Sequence, residues 1–262
     1  MTDILVELAA ARRHDVSERE AVTPLSEMER LAMAAPAPRD FAGALRGGQS
    51  PRVIAELKRA SPSEGMIRDD FSPRELAKEL QAAGAAALSV LCEPHRFLGG
   101  EEYLRAAREV TDIPILYKDF VTTRYQVAAA RAAGADAVLL IAAILDDETL
   151  AALISYAGGL GLAALVETHD ADEIGRAVYA GAKVVGVNCR DLRDFSCDVS
   201  LLESLIGGIP RPCLRVAESG MHSSDDIARA AAAGADAFLV GTALMRAPSP
   251  GDMLRQLTHP AT

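Results

Sequence analysis

Short apolar segments alternate with longer helical segments along most of this 262-residue chain. Four related phrases, "AAGAAALSV", "AAGADAVLL", "YAGAKVVGV" and "AAGADAFLV", each join the end of an Ala-rich helical segment to an apolar run. Their glycines, Gly84, Gly134, Gly181 and Gly234, suit a helix C-cap in the left-handed conformation. Successive glycines lie 50, 47 and 53 residues apart, which fits two strand–helix units in each interval.

Four further apolar runs, "RVIAEL", "IPILYK", "LAALVE" and "CLRVAE", lie between these phrases. Near-continuous apolar strands that alternate with helices indicate a parallel sheet whose outer face is covered. The eight runs predict strands at roughly 52–58, 87–91, 114–118, 137–141, 163–167, 184–188, 213–218 and 237–241. Helices are predicted near 73–83, 101–110, 123–133, 147–159, 171–180, 199–206, 224–233 and 250–258.

Eight such units predict an α/β fold of the (β/α)8 type, the TIM barrel. A doubly wound open sheet is the alternative, but it more often carries a glycine-rich dinucleotide loop after its first strand, and this sequence has none there. Residues 1–50 predict one or two helices, with "AAPAPRD" as a break before a short helix near 40–46. We expect a single domain over residues 1–262, in which this N-terminal helical extension caps the barrel or covers its mouth.

Composition and charge narrow the class of protein. Hydrophobic residues make up 50% of the chain and charged residues 24%, which is typical of a globular protein with a sizeable core. The net charge of −10 lacks the basic footprint of a nucleic-acid-binding protein, although a local basic pocket for a small anion is compatible with it. The longest apolar run, residues 137–145, is far shorter than the ~20 residues that a membrane-spanning helix needs. We expect no nucleic-acid partner and no membrane span.

The N-terminus and the cysteines favour a reducing, cytoplasmic location. The N-terminal segment carries an acidic residue early and lacks the basic and apolar regions of a signal peptide, so it predicts an amphipathic helix. The four cysteines, at positions 92, 189, 197 and 213, show no CxxC spacing and no paired framework. His95 and His222 are scattered, so we expect no metal site. His169 and Asp170 suggest either the start of a helix, which we favour, or a catalytic dyad.

Polar residues gather at the carboxyl ends of the predicted strands. Glu56 and Lys58 end the first strand two residues apart, so both side chains point to the same face. Ion pairing at a barrel rim would explain any one such residue. Their convergence on the face where these barrels hold active sites favours acid–base chemistry instead. The further strand-end polar residues are Lys118, Asp119, Glu167, Asn188 and Glu218.

Small residues fill the loops after the seventh and eighth strands, in "ESG" at 218–220 and "VGTAL" at 240–244. These two loops form the usual phosphate site of such barrels, because their backbone N–H groups are free to meet an anion. Ser61, in the loop after the first strand, adds a hydroxyl group. We therefore predict a phosphorylated small-molecule substrate.

Several phrases closely resemble one enzyme family. "VIAELKRASPSEG", "PILYKDF", "ALVETHD", "GVNCRDL" and "AESGM" occur in the order found in indole-3-glycerol-phosphate synthases, and the likeness runs from about residue 50 to about residue 245. The resemblance implies a (β/α)8 barrel with an N-terminal helical extension. It implies conversion of 1-(2-carboxyphenylamino)-1-deoxyribulose 5-phosphate into indole-3-glycerol phosphate, with release of CO2 and water, in tryptophan biosynthesis. It implies no metal and no organic cofactor.

Carried over by position, the resemblance implies roles for the charged residues. Lys118 matches the general acid that protonates the substrate carbonyl as the aromatic carbon attacks it. Glu167 matches the residue that handles the proton in the later dehydration, with Lys58 as its acidic partner, and which lysine serves which step stays open. Glu56 and Glu218 match the carboxylates that position the lysines and the anilino group.

The remaining carried-over residues are expected to bind the substrate. Asn188 matches the residue that orients the intermediate. Arg190 matches an arginine near the site that serves either the substrate carboxylate or electrostatic support. Phe97 falls in an aromatic element near the anthranilate ring. The positions that match the phosphate site are Ser61, Ser219, Gly220, Gly241 and Thr242.

The sequence departs from the family pattern at a few positions. Glu64 stands where the family commonly has Lys, and we expect it to weaken binding of an anionic substrate. Cys189 replaces a second Asn or a small residue and is expected to be structural, with a reactive thiol as the alternative. Cys92 replaces a usual Thr, and Thr242 stands where Glu or Ser is frequent. Together they are compatible with a specialised paralog that acts on a substituted substrate.

Two other functions compete with the synthase. A phosphoribosylanthranilate isomerase would favour a Cys and Asp pair over two Lys and three Glu, so it ranks low. A non-catalytic barrel that binds the phosphate ligand or a partner subunit is the other alternative, and the intact lysine and glutamate set argues against it. The resemblance also implies a monomer or a weak homo-oligomer.

Overall fold

The computed structural model describes residues 4–48, 50–190 and 199–259. Eight parallel strands form a closed barrel in which each strand pairs with the next along the chain and the last pairs with the first. The predicted (β/α)8 fold is confirmed, and every predicted strand boundary lies within one residue of the observed one. The strands are β1 (Arg52–Leu57), β2 (Ala87–Leu91), β3 (Ile115–Lys118), β4 (Ala137–Ile141), β5 (Ala163–Thr168), β6 (Val184–Asn188), β7 (Leu214–Glu218) and β8 (Ala237–Val240).

Helices cover the outside of the barrel and lie where the sequence predicts them. A short helix after β8, a 3-10 turn at Ala142–Ile144 and a two-residue hairpin of Ala60–Ser61 with Gly65–Met66 were not predicted, because such short elements have no hydrophobic period. Across the described ranges, no helix combines the length and apolar character needed to cross a membrane. The helices are α1 (Ile4–Val22), α2 (Leu25–Ala34), α3 (Phe41–Ala44), α4 (Pro73–Ala82), α5 (Glu101–Arg108), α6 (Arg124–Ala132), α7 (Asp147–Gly159), α8 (Ala171–Tyr179), α9 (Val199–Gly208), α10 (Ser224–Ala232), α11 (Thr242–Arg246) and α12 (Pro250–Thr258).

The four Gly-Ala phrases end helices as predicted. Gly84, Gly134, Gly181 and Gly234 each follow a helix C-cap and have φ values of 95°, 93°, 90° and 109°. Such a left-handed residue stops the helix and turns the chain into the next strand, and glycine adopts it without a Cβ penalty. The repeated phrase is therefore the device that starts every second strand of the barrel.

Side chains inside the barrel are stacked in layers. Residues two apart on a strand point to the same side, so an aliphatic residue lies below each charged one. In TIM barrels one layer comes from alternate strands, here β1, β3, β5 and β7. The lower aliphatic layer consists of Ile54, Leu116, Leu165 and Val216. The layer above it, which we call the charged layer, consists of Glu56, Lys118, Glu167 and Glu218.

The N-terminal extension covers both ends of the barrel. Leu5 and Leu8 of α1 are buried with the barrel interior and line the cavity at the carboxyl ends of the strands. Helix α2 packs along the outside against α6. Phe41 of α3 is buried in the same interior cluster, and Arg52, which begins β1, donates from Nε to the carbonyl of Ala44 at 2.9 Å. The extension therefore both closes the amino end of the barrel and covers part of its mouth.

A buried ion pair fixes α1 to the barrel. Arg12 donates from Nε to Asp119 Oδ1 at 3.0 Å and from Nη2 to Asp119 Oδ2 at 2.7 Å. Asp119 also accepts from the hydroxyl of Tyr117 at 2.9 Å. Arg12 is 4% exposed and Asp119 is 2% exposed, so neither charge has water as an alternative partner. Because Asp119 directly follows Lys118, this pair ties the extension to the carboxyl end of β3.

Candidate active site

One cavity opens at the carboxyl ends of the strands. It brings together all six residues expected to be catalytic, which come from β1, β3, β5, β6 and β7 and from the residue after β1. These six are Glu56, Lys58, Lys118, Glu167, Asn188 and Glu218. Ser61, Phe97, Arg190, Ser219 and Thr242 line the same cavity. The structure therefore confirms the prediction that the polar residues at the strand ends lie close together, around one cavity.

Glu56 and Lys58 form an ion pair at the wall of the cavity. Lys58 Nζ lies 3.0 Å from Glu56 Oε1, and both side chains are largely buried. The carboxylate fits here because residue 241 is glycine: a Cβ at Gly241 would lie 2.3 Å from Glu56 Oε1. Gly241 therefore has a steric role at the site in addition to the backbone role that the sequence predicts.

Lys118 lies between two carboxylates. Its Nζ donates to Glu167 Oε2 at 3.1 Å and lies 3.8 Å from Glu218 Oε2. Burial alone would lower the pKa of Lys118, but the carboxylates of Glu167, Glu218 and Glu56 outweigh it and raise the pKa above its ordinary value. Lys118 is therefore an ammonium group at neutral pH, which suits a proton donor.

Glu167 is held as a carboxylate by donors on two sides. Burial alone would raise its pKa, but the charge of Lys118, the ring of His169 and the amide of Asn188 lower the pKa well below the usual carboxyl range. Asn188 donates from Nδ2 to Glu167 Oε1 at 3.0 Å. The Asn188 carbonyl in turn accepts from Ser219 Oγ at 2.7 Å, which fixes the orientation of the amide.

Glu218 lies in a contrasting environment. Burial and the neighbouring charge of Glu167 raise the pKa of Glu218 well above the usual carboxyl value, against the opposing effect of Lys118. Neither of its oxygens has a hydrogen-bond partner among the described residues. The Glu218 side chain fits here because residue 186 of β6 is glycine: a Cβ at this position would lie 2.0 Å from Glu218 Oε1. Glu167 and Glu218 are thus adjacent carboxyl groups with pKa values shifted in opposite directions.

A second pocket adjoins the cavity between the loops after β7 and β8. Ser219 and Gly220 both have positive φ, 66° and 73°, which turns the backbone sharply at the end of β7. The residues predicted to bind phosphate lie here or at its border: Ser219, Gly220, Gly241 and Thr242 line this pocket, and Ser61 lines the adjoining cavity. Arg190 lines both spaces.

The sequence is similar to known proteins along almost its whole length. The family model described as indole-3-glycerol phosphate synthase matches residues 5–257. An indole-3-glycerol phosphate synthase of Acidithiobacillus ferrooxidans is 48% identical over 261 residues, covering 98% of this chain and 99% of the relative. The synthase of Albidiferax ferrireducens is 45% identical and that of Dechloromonas aromatica 44% identical, each over 98% of this chain and, respectively, 98% and 99% of the relative.

The chain belongs to the indole-3-glycerol phosphate synthase family. The resemblance seen in the sequence motifs thus extends over nearly the full length of the chain. The family consists of decarboxylating lyases of tryptophan biosynthesis. Solved structures of other enzymes share the barrel alone. A thiamine phosphate pyrophosphorylase from Pyrococcus furiosus has a TM-score of 0.61 at 18% identity, covering 83% of this chain and 96% of that one. A mandelate oxidase has a TM-score of 0.60 at 17% identity, covering 93% of this chain and 90% of that one.

An apolar wall of this synthase-family site was only partly predicted. Phe97 lies in the cavity as expected, with its ring centroid 6.3 Å from that of Phe120. Ile4, Leu5 and Leu8 of α1 complete the wall and were not singled out from the sequence. Phe120 directly follows the Lys118-Asp119 pair, so its position beside the strand end was the available signal for it.

Glu93 was also missed, and it organises the loop that carries Phe97. Its side chain is fully buried and accepts from the backbone N–H groups of His95 at 2.7 Å, Arg96 at 2.7 Å and Phe97 at 2.8 Å. A carboxylate that accepts several backbone donors holds a loop firmly, because each such bond is charge-assisted. Phe97 therefore lies against the cavity on a fixed loop.

The structure also bears on the departures from the family pattern. Cys189 is disulfide-bonded, so the prediction of unpaired cysteines is wrong for this residue, because pairing depends on proximity in the fold rather than on spacing. Cys92 and Cys213 are free thiols, whereas Cys197 lies outside the described residues. Glu64 forms an ion pair with Arg246 of α11, which compensates much of its negative charge near the site.

Proposed function

We propose that this chain catalyses the reaction of its family, the conversion of 1-(2-carboxyphenylamino)-1-deoxyribulose 5-phosphate into indole-3-glycerol phosphate. The observation that carries the proposal is that Lys58 and Lys118 face one cavity, each within 3.1 Å of a carboxylate. Ring closure and dehydration each need a proton donor, and dehydration needs a base as well. Two ammonium groups and three carboxyl groups meet that requirement.

In the ring-closing step, the aromatic carbon that bears the carboxylate attacks the ketone carbon of the ribulose chain. Lys118 gives a proton to the oxygen as it becomes an alkoxide, and its ammonium state at neutral pH supports this role. CO2 then leaves, and the electron pair of the broken carbon–carbon bond restores the aromatic ring. The released amine of Lys118 takes up a proton before the next cycle.

In the dehydration step, the hydroxyl formed by ring closure leaves as water. Lys58 protonates that hydroxyl, and Glu167 removes the proton from the ring-closed intermediate so that the new double bond forms. The lowered pKa of Glu167 means only that the residue enters the step unprotonated, as a base must. Glu56 and Glu218 hold the two lysines and the anilino nitrogen in place.

Substrate binding divides between a polar and an apolar side. The amide of Asn188 orients the intermediate, and Arg190 meets the substrate carboxylate. Phe97 and the apolar wall of α1 cover the anthranilate ring. The phosphate binds between the loops after β7 and β8, at Ser219, Gly220, Gly241 and Thr242, with the hydroxyl of Ser61 from the loop after β1. The enzyme acts in the cytoplasm. It is a monomer or a weak homo-oligomer, and light scattering of the purified protein tests this oligomeric state.

The test is turnover of the substrate by purified protein, followed through the fluorescence of the indole product, with Lys118→Ala alongside. We expect turnover by the wild type and a loss of about 100-fold to 10,000-fold in the variant, the range for removal of a general acid. Lys78→Ala is the matched control. Lys78 is a half-exposed lysine of α4, and it forms an ion pair with Glu75 on the helix surface. A folded wild type that binds the substrate without turnover contradicts the proposal. A substituted anthranilate substrate or a binding role would then be tested.

A further inference from the structure

His169 lies behind the catalytic carboxylate, outside the lining of the cavity. It directly follows β5 and stands two residues after Glu167. Its ring Nε2 is buried and lies 3.5 Å from Glu167 Oε1. On its other side, Nδ1 lies 3.1 Å from Glu173 Oε2, and the backbone N–H of His169 donates to the same oxygen at 2.8 Å.

Glu173 belongs to a rigid element. It lies in the first turn of α8, where its backbone N–H donates to the N-cap carboxylate of Asp170 at 2.8 Å. The sequence suggested either a helix start or a catalytic dyad for His169 and Asp170. The helix start is confirmed for Asp170, whereas His169 contacts both Glu173 in the first turn of that helix and Glu167. The ring is therefore clamped between a carboxylate on the helix and one on the strand.

The charges around the two residues define their protonation states. Glu173 and Glu167 face the His169 ring. Burial alone would lower the pKa of His169, but these two carboxylates raise the pKa to about 10. Lys118 from β3 lies 3.1 Å from the other oxygen of that carboxylate, Glu167 Oε2, and Glu218 from β7 is a further neighbouring charge. The ring is thus a cation at neutral pH beside Glu167 Oε1, whereas the cavity ammonium lies beside Glu167 Oε2.

We propose that His169 is a positioning residue for the reaction: its imidazolium ring, anchored by Glu173, fixes the Glu167 carboxylate towards Lys118 and Asn188. A glutamate carboxylate that pairs with a single cation can rotate about its Cγ–Cδ bond. A carboxylate that has a cation near each oxygen presents the same oxygen to the cavity throughout the cycle. When Lys118 gives up its proton in ring closure, the charge of His169 stays. Glu167 therefore stays unprotonated for the dehydration step. The inference rests on the proposed function for the step it serves, but the state of the ring can be measured without turnover.

The first experiment is NMR titration of the histidine rings in the intact protein, with His169→Gln used to assign the signal. We expect the His169 ring to stay an imidazolium from about pH 6 to about pH 9, well above the ordinary histidine pKa of ~6.5. A His169 ring that titrates near ~6.5 overturns the inference. This measurement needs no substrate, so it stands even if the protein fails to turn over the proposed one.

The second experiment is the pH profile of kcat for His169→Gln, Glu173→Gln and the control His14→Gln. Loss of the imidazolium raises the pKa of Glu167, so the acidic limb of the profile moves to higher pH in His169→Gln. We expect kcat to fall about 10-fold to 100-fold with little change in KM. Glu173→Gln shifts the limb in the same direction by less, and His14→Gln leaves the profile unchanged.

Two outcomes contradict the inference in these assays. One is a folded His169→Gln protein with the wild-type kcat and acidic limb. The other is a loss of kcat with an unshifted profile, which indicates a merely structural role. If His169→Gln does not fold, the Glu173→Gln profile and the wild-type titration decide the matter. Failure of the proposed function is distinct, since it appears as absent turnover in the wild type itself.

Discussion

Replacing Gly186 by alanine tests whether the place of Glu218 depends on a missing side chain. Gly186 lies on β6 directly beside the charged layer, and its backbone does not need the left-handed region, so alanine is tolerated by the chain itself. The added Cβ would lie 2.0 Å from Glu218 Oε1 and 3.3 Å from a methyl group of Leu165. The Leu165 contact is only slightly tight, so the carboxyl group of Glu218 must move.

The size of that movement follows from the contact distances. Ordinary contact begins at 3.4 Å and the available distance is 2.0 Å, so the oxygen must retreat by about 1.4 Å. A misplacement of about 1 Å in a reacting group costs roughly 100-fold in rate. Overpacking of this kind costs about 1–3 kcal/mol of stability, which is less than the ~5–15 kcal/mol that holds a typical domain folded. We therefore expect a folded protein with kcat/KM lowered about 100-fold.

The assay combines turnover, followed by indole fluorescence, with thermal unfolding by circular dichroism. Gly158→Ala is the matched control, since a Cβ at this α7 position meets nothing within 4 Å. It should keep wild-type activity and be slightly more stable, by about 0.5–1 kcal/mol. Wild-type kcat/KM in a folded Gly186→Ala protein would refute the reasoning, because Glu218 would then be free to move without loss of function.

Three further changes test other parts of the structure. Arg12→Ala leaves a buried carboxylate unpaired and should lower the free energy of unfolding by about 3–5 kcal/mol in urea titrations. Arg30→Ala, which breaks an exposed ion pair, should lower the free energy of unfolding far less, and equal losses would contradict the role of the Arg12–Asp119 anchor. The raised pKa of Glu218 means that wild-type stability falls as pH rises above the unfolded carboxyl value of about 4.3 and through the folded pKa. Glu218→Gln removes this loss, so its Tm should exceed the wild-type Tm by a margin that widens with pH, and a narrowing margin would refute the pKa shift. Glu93→Gln should raise KM at least about tenfold by releasing the Phe97 loop, and an unchanged KM would show that the loop holds without it.

Most of the fold could be predicted because its signals are local. Apolar runs, Ala-rich helices and the glycine that ends each helix define strand and helix bounds within a few residues along the chain. The charged residues of the site could be predicted for the same reason. Glu56, Lys118, Glu167 and Glu218 each end a strand, and the topology of a parallel barrel brings strand ends together.

The parts that escaped prediction depend on contacts between distant segments or on side-chain direction. Leu8 lines the site only because α1 folds back over a barrel that begins more than 40 residues later in the chain. The partner of His169 depends on which way the ring turns, and a sequence does not record a rotamer. Gly186 looks like any strand glycine until the neighbouring carboxyl group is placed beside it.

The layered interior of the barrel separates the side chains that support strand pairing from those that carry charge. The aliphatic layer of Ile54, Leu116, Leu165 and Val216 stays dry and supports strand pairing, whereas the four side chains directly above it carry the charges. Exchanging an upper side chain changes the available acids and bases and leaves the hydrogen-bonded backbone below it untouched. The same backbone can therefore accept a different set of four side chains, which makes this end of the barrel a starting point for designing enzymes with other reactions.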